Sequence, residues 1–253
     1  MNFFFGIKHK FFKCEIQIPQ FNNKGLINEK LKLFKCFPKN NEWCYENVFT
    51  KEIDNQFFVI NGKNINNNDL FFIAHENDKV KFDLQKLQNV NNYTNTSPAY
   101  RSNLKIYIDG GGFSSYQSEY PSRMINKLGT IFSSISSLAN KDAEKNFVIF
   151  RNVFEIPIEK DFKAYFVNYK KKIIEKEIIL RTNNTNIIEI DSYLIKPEIF
   201  FVTKKYLGIP MYLSLKDKHL SFEHTHPPHG YIYSKNKFEI INNIKKEINE
   251  IIN

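Results

Sequence analysis

Phe162-Lys-Ala-Tyr-Phe-Val-Asn-Tyr169, followed after a lysine break by Ile173-Ile-Glu-Lys-Glu-Ile-Ile-Leu180, decides how this chain folds. Both runs have strand length and are rich in aromatic and β-branched side chains, which suit a half-buried pleated surface. Similar runs lie on either side: Phe147 to Arg151, Ile187 to Ile190, Ile199 to Thr203, Pro210 to Leu215 and His219 to His226. Turn residues such as Asn183-Asn184 and Asp217 punctuate them at sandwich-like intervals.

The same reading extends towards the N-terminus. Phe11 to Pro19, Phe57 to Asn61, Leu70 to Ala74, Val80 to Asp83 and Leu104 to Asp109 are predicted strands, and Asn61-Gly62 is a hairpin-type turn signal. Residues 26–36 carry Leu26, Leu31, Leu33 and Phe34 and are read as a brief helix. Met124 to Asn140 places Met124, Leu128, Ile131, Phe132, Ile135 and Leu138 at spacings of three and four, which predicts an internal helix despite Gly129 and a serine run. Phe238, Ile241, Ile244, Ile248 and Ile251 mark an amphipathic C-terminal helix, with Ser234 or Asn236 as its cap. No βαβ rhythm is present, so the predicted class is α+β, predominantly antiparallel β and β-sandwich-like, with one internal helix and one C-terminal helix. Asn89 to Pro98 is polar and aperiodic and reads as a linker, dividing a β-rich region 1–95 from a β-sandwich-like domain 100–253.

Composition narrows the function. Twenty-five Phe and thirteen Tyr reinforce the strand reading, while a net charge of +9 permits anionic partners. The lysines are dispersed, however, and no basic helical stripe, zinc finger or RNA-recognition signature accompanies them, so nucleic acid is set aside as a partner. Arg101, Arg123, Arg151 and Arg181 stand out among so many lysines, because only the guanidinium fork holds a carboxylate or phosphate bidentately. Arg123 is the preferred candidate. Cys14, Cys36 and Cys44 are odd in number and spaced for neither a disulfide framework nor a CxxC site, which fits buried thiols in a reducing compartment. With no signal-peptide pattern and no apolar run of membrane length, the expected protein is soluble and cytoplasmic, without a membrane span.

Two segments carry the candidate chemistry. The first is His219-Leu-Ser-Phe-Glu-His-Thr-His-Pro-Pro-His229, which holds four of the six histidines. Strand alternation puts Leu220, Phe222, His224 and His226 on one face, and His219, Ser221, Glu223 and Thr225 on the other. His224 and His226 then lie about 7 Å apart along the strand, and His229 follows a Pro-Pro turn. His224, His226 and His229 are candidate ligands for zinc or iron, with Asp109, Glu119 or His75 completing the set. Without a metal, His224, His226 and Glu223 are candidate acid–base groups. The same HxH spacing occurs in cupins, but the following glutamate and a later histidine strand are missing here.

The second segment is Asp109-Gly-Gly-Gly-Phe-Ser-Ser-Tyr-Gln-Ser-Glu-Tyr-Pro-Ser-Arg123, read as a loop. Glycine amides, hydroxyls, an aromatic face and a carboxylate together suit a small polar or sugar-like ligand, with Asp109, Ser114, Ser115, Tyr116, Gln117 and Arg123 as its binding residues. Neither a phosphate-binding glycine motif nor a GxSxG elbow is present. The expectation is a carbohydrate-related binding protein, with catalysis at the histidine cluster added if the two segments meet. The alternatives are a zinc or iron enzyme using the histidines, and a structural or protein-interaction β-sandwich. The sequence leaves oligomeric state open.

Overall fold

A computed structural model describes residues 2–20, 31–48, 51–53, 56–75, 87, 102–224, 230 and 232–253. Its strands in chain order are β1 (Asn2–Phe4), β2 (Lys13–Pro19), β3 (Leu31–Lys39), β4 (Glu42–Asn47), β5 (Lys51–Ile53), β6 (Phe57–Asn61), β7 (Leu70–His75), β8 (Asn103–Tyr107) and β9 (Phe113–Tyr116). They continue with β10 (Glu119–Pro121), β11 (Ile131–Ser134), β12 (Lys145–Arg151), β13 (Asp161–Asn168), β14 (Ile173–Arg181), β15 (Thr185–Glu189), β16 (Ile199–Thr203), β17 (Ile209–Lys216) and β18 (His219–His224). Among the described residues one α-helix, α1 (Lys237–Ile252), follows them. The described residues are thus mostly antiparallel β, in four sheets: β10-β1-β7-β3-β4, β5-β6-β2-β8-β9, β15-β12-β17-β18 and β11-β16-β13-β14.

Period-two alternation sorts side chains into three buried clusters. On β12, Phe147 and Ile149 join a core with Phe4, Ile16, Phe71 and Leu104, while Val148 and Phe150 join a second core with Phe166 and Phe201. On β17, Met211 and Leu213 face the first core and Tyr212 the second. The sheet carrying these strands is apolar on both faces, which explains the unbroken run Phe147-Val-Ile-Phe150. The next sheet repeats the arrangement: Phe162, Ala164 and Phe166 of β13 face the second core, and Tyr165 and Val167 face a third that Ile248 of α1 completes. Along α1, Ile241 and Ile248 are buried, whereas Phe238 is 60% exposed and lies off the buried stripe. Asn236 occupies the cap position without a side-chain cap bond.

The internal helix predicted over Met124–Asn140 does not form. A 3-10 turn at Ser122–Met124 gives way to Asn126 at φ +61 and Gly129 at φ +153, then to β11, which pairs with β16 from Ile131↔Thr203 to Ser134↔Phe200. Left-handed and mirror-region backbone interrupts a helix, and the serines satisfy strand and turn geometry more readily than helical geometry. The brief helix expected over 26–36 is overturned where it is described: Leu31 onwards is strand β3, paired with β4 and β7. Asn61-Gly62 is likewise not a hairpin. Asn61 Oδ1 accepts from Lys63 N at 3.0 Å to shape a 3-10 turn, and β6 and β7 part into different sheets. Val80 to Asp83 and the linker candidate Asn89 to Pro98 lie outside the described residues.

The first and third sheets are also joined by polar contacts around Arg151, which is fully buried. Its Nη1 donates to Asn67 O and to Thr185 Oγ1 (3.3 Å), and its Nη2 to Asp69 O (3.4 Å). Thr185 N donates to Asn67 O at 2.7 Å, and Trp43 Nε1 donates to Glu155 O at 2.6 Å. Burial pushes the Asp69 carboxyl above its usual range and the Arg151 guanidinium below its own. Arg151 still bears its charge at neutral pH, held by carbonyl dipoles and by the Phe5 ring at 5.9 Å.

Candidate functional site

The segment read as a loop over 109–123 contains two short strands, β9 and β10, joined and flanked by turns. Residues 108–112 turn β8 into β9, with Gly111 N donating to Ile108 O at 3.0 Å, and β10 then carries the chain into another sheet by pairing with β1. Strand β9 is the edge of its sheet, and β18 is the edge of its own. These two edges meet.

Three contacts stitch the seam. Gly112 N donates to Lys218 O at 2.9 Å, Phe222 N donates to Ser114 Oγ at 3.1 Å, and Tyr116 Oη lies 2.8 Å from His224 Nε2. The Tyr116 and His224 rings also overlap, with centroids 4.4 Å apart and planes tilted by 39°, and Tyr116 meets Phe222 edge-on at 6.2 Å. Gly111 permits this approach, since a Cβ there would sit 2.6 Å from Lys218 O. Local alternation aims the side chains. Phe222 packs into the first core beside partly buried Leu220 and Tyr116, and His224 shares that face, while Glu223 is exposed on the other side of the strand.

The remaining candidate residues divide. Ser115 and Gln117 are exposed near Tyr116 in the chain, whereas the exposed Asp109 is ion-paired with Lys13. Ser114 spends its hydroxyl on the Phe222 amide. Arg123 is exposed on the 3-10 turn beyond β10, so the chain leads it away from β9. Among the described residues the buried arginine is Arg151, and the sequence signal for it is its place at the end of an apolar run.

His226 and His229 lie outside the described residues. Among the described residues, no group of three or more His, Cys, Asp or Glu side chains is arranged to hold a metal. Of the proposed distant ligands, Glu119 is buried and accepts from Ser102 N at 2.8 Å through Oε1, and Asp109 is committed to Lys13. Zinc or iron therefore finds no described ligand set. All three cysteines are free; burial pushes the Cys14 thiol up to about 11 and the Cys36 thiol further. Neither is a ready nucleophile.

Sequence reasoning passed over two further features. His9 lies against Phe11, Phe12 and Phe147, with centroids 5.3, 4.8 and 5.2 Å away, and burial beside Lys10 lowers its pKa. A cavity of about 510 Å³ opens beside Tyr206 and is lined partly by lysines. Among the described residues, no helix is long and apolar enough to cross a membrane. In comparisons with protein-family models, curated proteins and solved structures, nothing matches the chain.

Proposed function

We propose that this protein binds a small polar, sugar-like ligand at the seam between β9 and β18, on a β-sandwich-like stack of sheets in a reducing, cytoplasmic setting. The observation that supports this reading is the Tyr116–His224 pair at 2.8 Å, because it joins the segment whose composition suits such a ligand to the histidine-rich segment. Tyr116 offers a ring face, and Ser115 and Gln117 add exposed hydroxyl and amide groups beside it. A tyrosine and histidine in hydrogen-bond contact also form a short path for moving a proton, which is the form any catalysis here would take.

The test is saturation-transfer NMR of the full chain with glucose, galactose and N-acetylglucosamine as probes. Transfer to at least one sugar is expected, lost in Tyr116→Ala and His224→Ala and kept in Glu223→Ala. An absence of transfer to all three sugars, or transfer indifferent to Tyr116 and His224, refutes the reading.

A further inference from the structure

The cavity beside Tyr206 is built differently from the seam. Phe162 and Tyr165 of β13 border it from opposite faces of the strand, each less than a tenth exposed, and Tyr206 packs edge-on against Phe162 with centroids 4.7 Å apart. Leu128 closes one side and is 60% exposed. The wall it belongs to is fixed: Leu128 bridges Tyr206, Gly129 N donates to Lys205 O at 3.1 Å, and Leu207 N donates to Lys127 O at 3.2 Å. The cavity therefore does not need to be ordered when something enters it.

Charge defines the occupant. Lys163, Lys204 and Lys205 line the cavity, and none of its lining residues is acidic. Each ammonium is held from the side. Lys163 pairs with Glu177 at 2.8 Å, Lys204 donates to Asn253 Oδ1, and Lys205 lies 5.5 Å from the Tyr206 ring centre. An apolar floor with a cationic rim complements a molecule with an apolar body and an anionic head. The volume of about 510 Å³ falls in the small-molecule range of roughly 300–1,000 Å³ and is far too small for a folded partner.

We propose that this cavity binds a small amphipathic anion, an apolar body of medium-chain acyl size carrying a carboxylate, sulfate or phosphate head. The apolar end lies on Phe162, Tyr206 and Leu128, and the head meets Lys204 and Lys205. Glu177 competes with the head for Lys163. This inference stands apart from the seam reading, and neither depends on the other.

Isothermal titration of the full chain with monomeric sodium decanoate and decyl sulfate, beside decanol and decyltrimethylammonium, tests it. Both anions are expected to bind, and the neutral and cationic analogues are not. Removing two rim charges in a K204Q/K205Q variant should weaken decanoate about tenfold, taking about threefold per partly exposed ion pair. E177Q, by freeing Lys163, should tighten it about two- to threefold. Far-UV circular dichroism checks that both variants fold. Equal binding of decanol, an unchanged affinity in folded K204Q/K205Q, or no binding of either anion overturns the proposal. Attachment only to anionic phospholipid vesicles, with none to monomeric decanoate, also overturns it by pointing to a membrane surface.

Discussion

Replacing Tyr116 by Phe removes one oxygen and leaves the ring, so it isolates the hydrogen bond at the seam from the packing around it. The 2.8 Å contact with His224 Nε2 is partly buried, which places its net worth at about 0.5–1.5 kcal/mol. His224→Ala removes the same bond together with an aromatic contact at 4.4 Å, itself worth about 0.5–1.5 kcal/mol beyond burial. A double-mutant cycle on urea unfolding then separates the terms. Tyr116→Phe alone should cost about 1 kcal/mol, near 2–4 °C in midpoint for a chain of this size. In the presence of His224→Ala the same substitution should cost almost nothing, giving a coupling of about 1 kcal/mol. Additive single effects, agreeing within about 0.3 kcal/mol, would show that the two residues do not sense one another and would refute the seam as described.

Three further outcomes follow from the packing. Ile248→Ala should destabilise by about 2–5 kcal/mol because Ile248 is fully buried against Tyr165, Val167 and Val202, whereas Phe238→Ala on the exposed flank should stay within about 0.5 kcal/mol; thermal melts compare them. Gly111→Ala must displace Lys218 O or reopen the β8–β9 turn, so it should cost about 1–3 kcal/mol and raise hydrogen exchange at the Gly112 amide. The folded His9 pKa lies below its ordinary 6.5, so its contribution is intact above that pH and is lost as pH falls through the lowered value. Melting temperature measured from about pH 7.5 to 5 should therefore decline, and His9→Gln should flatten that part of the profile.

Several strands were legible because burial on two faces or one leaves a period that survives in the sequence. Phe57–Asn61 and Ile199–Thr203 fall where the residues place them, and β12, β13, β14 and β17 differ from expectation only at their ends. Others were not: β3, although nine residues long, carries leucines that also fit a helical spacing. β9 and β11 are four residues each and share serines, while β4 reads Glu-Trp-Cys-Tyr-Glu-Asn, with its one fully buried side chain at Trp43. The false helix has a specific origin. Phe132 stacks on Phe200 at 4.2 Å on one face of β11, and Ile135, just past its end, turns into the second core. A short strand followed by a turn thus reproduces spacings of three and four without a helix.

The site was half legible for a related reason. Alternation is local, so the sequence separates Glu223 from His224 and puts Phe222 and His224 on one face. Which strand would face them is not local. Tyr116 reaches His224 across 108 residues, through the approach of two sheet edges that no residue pattern announces. Those edges meet through few backbone groups, with a glycine amide on Lys218 O and a serine hydroxyl on the Phe222 amide standing in for a ladder. Exposed edges invite pairing with other chains, and joining two of them guards both. The same economy leaves the seam with fewer backbone hydrogen bonds than a strand pair, so side chains such as Tyr116 and His224 carry much of the contact between the two sheets.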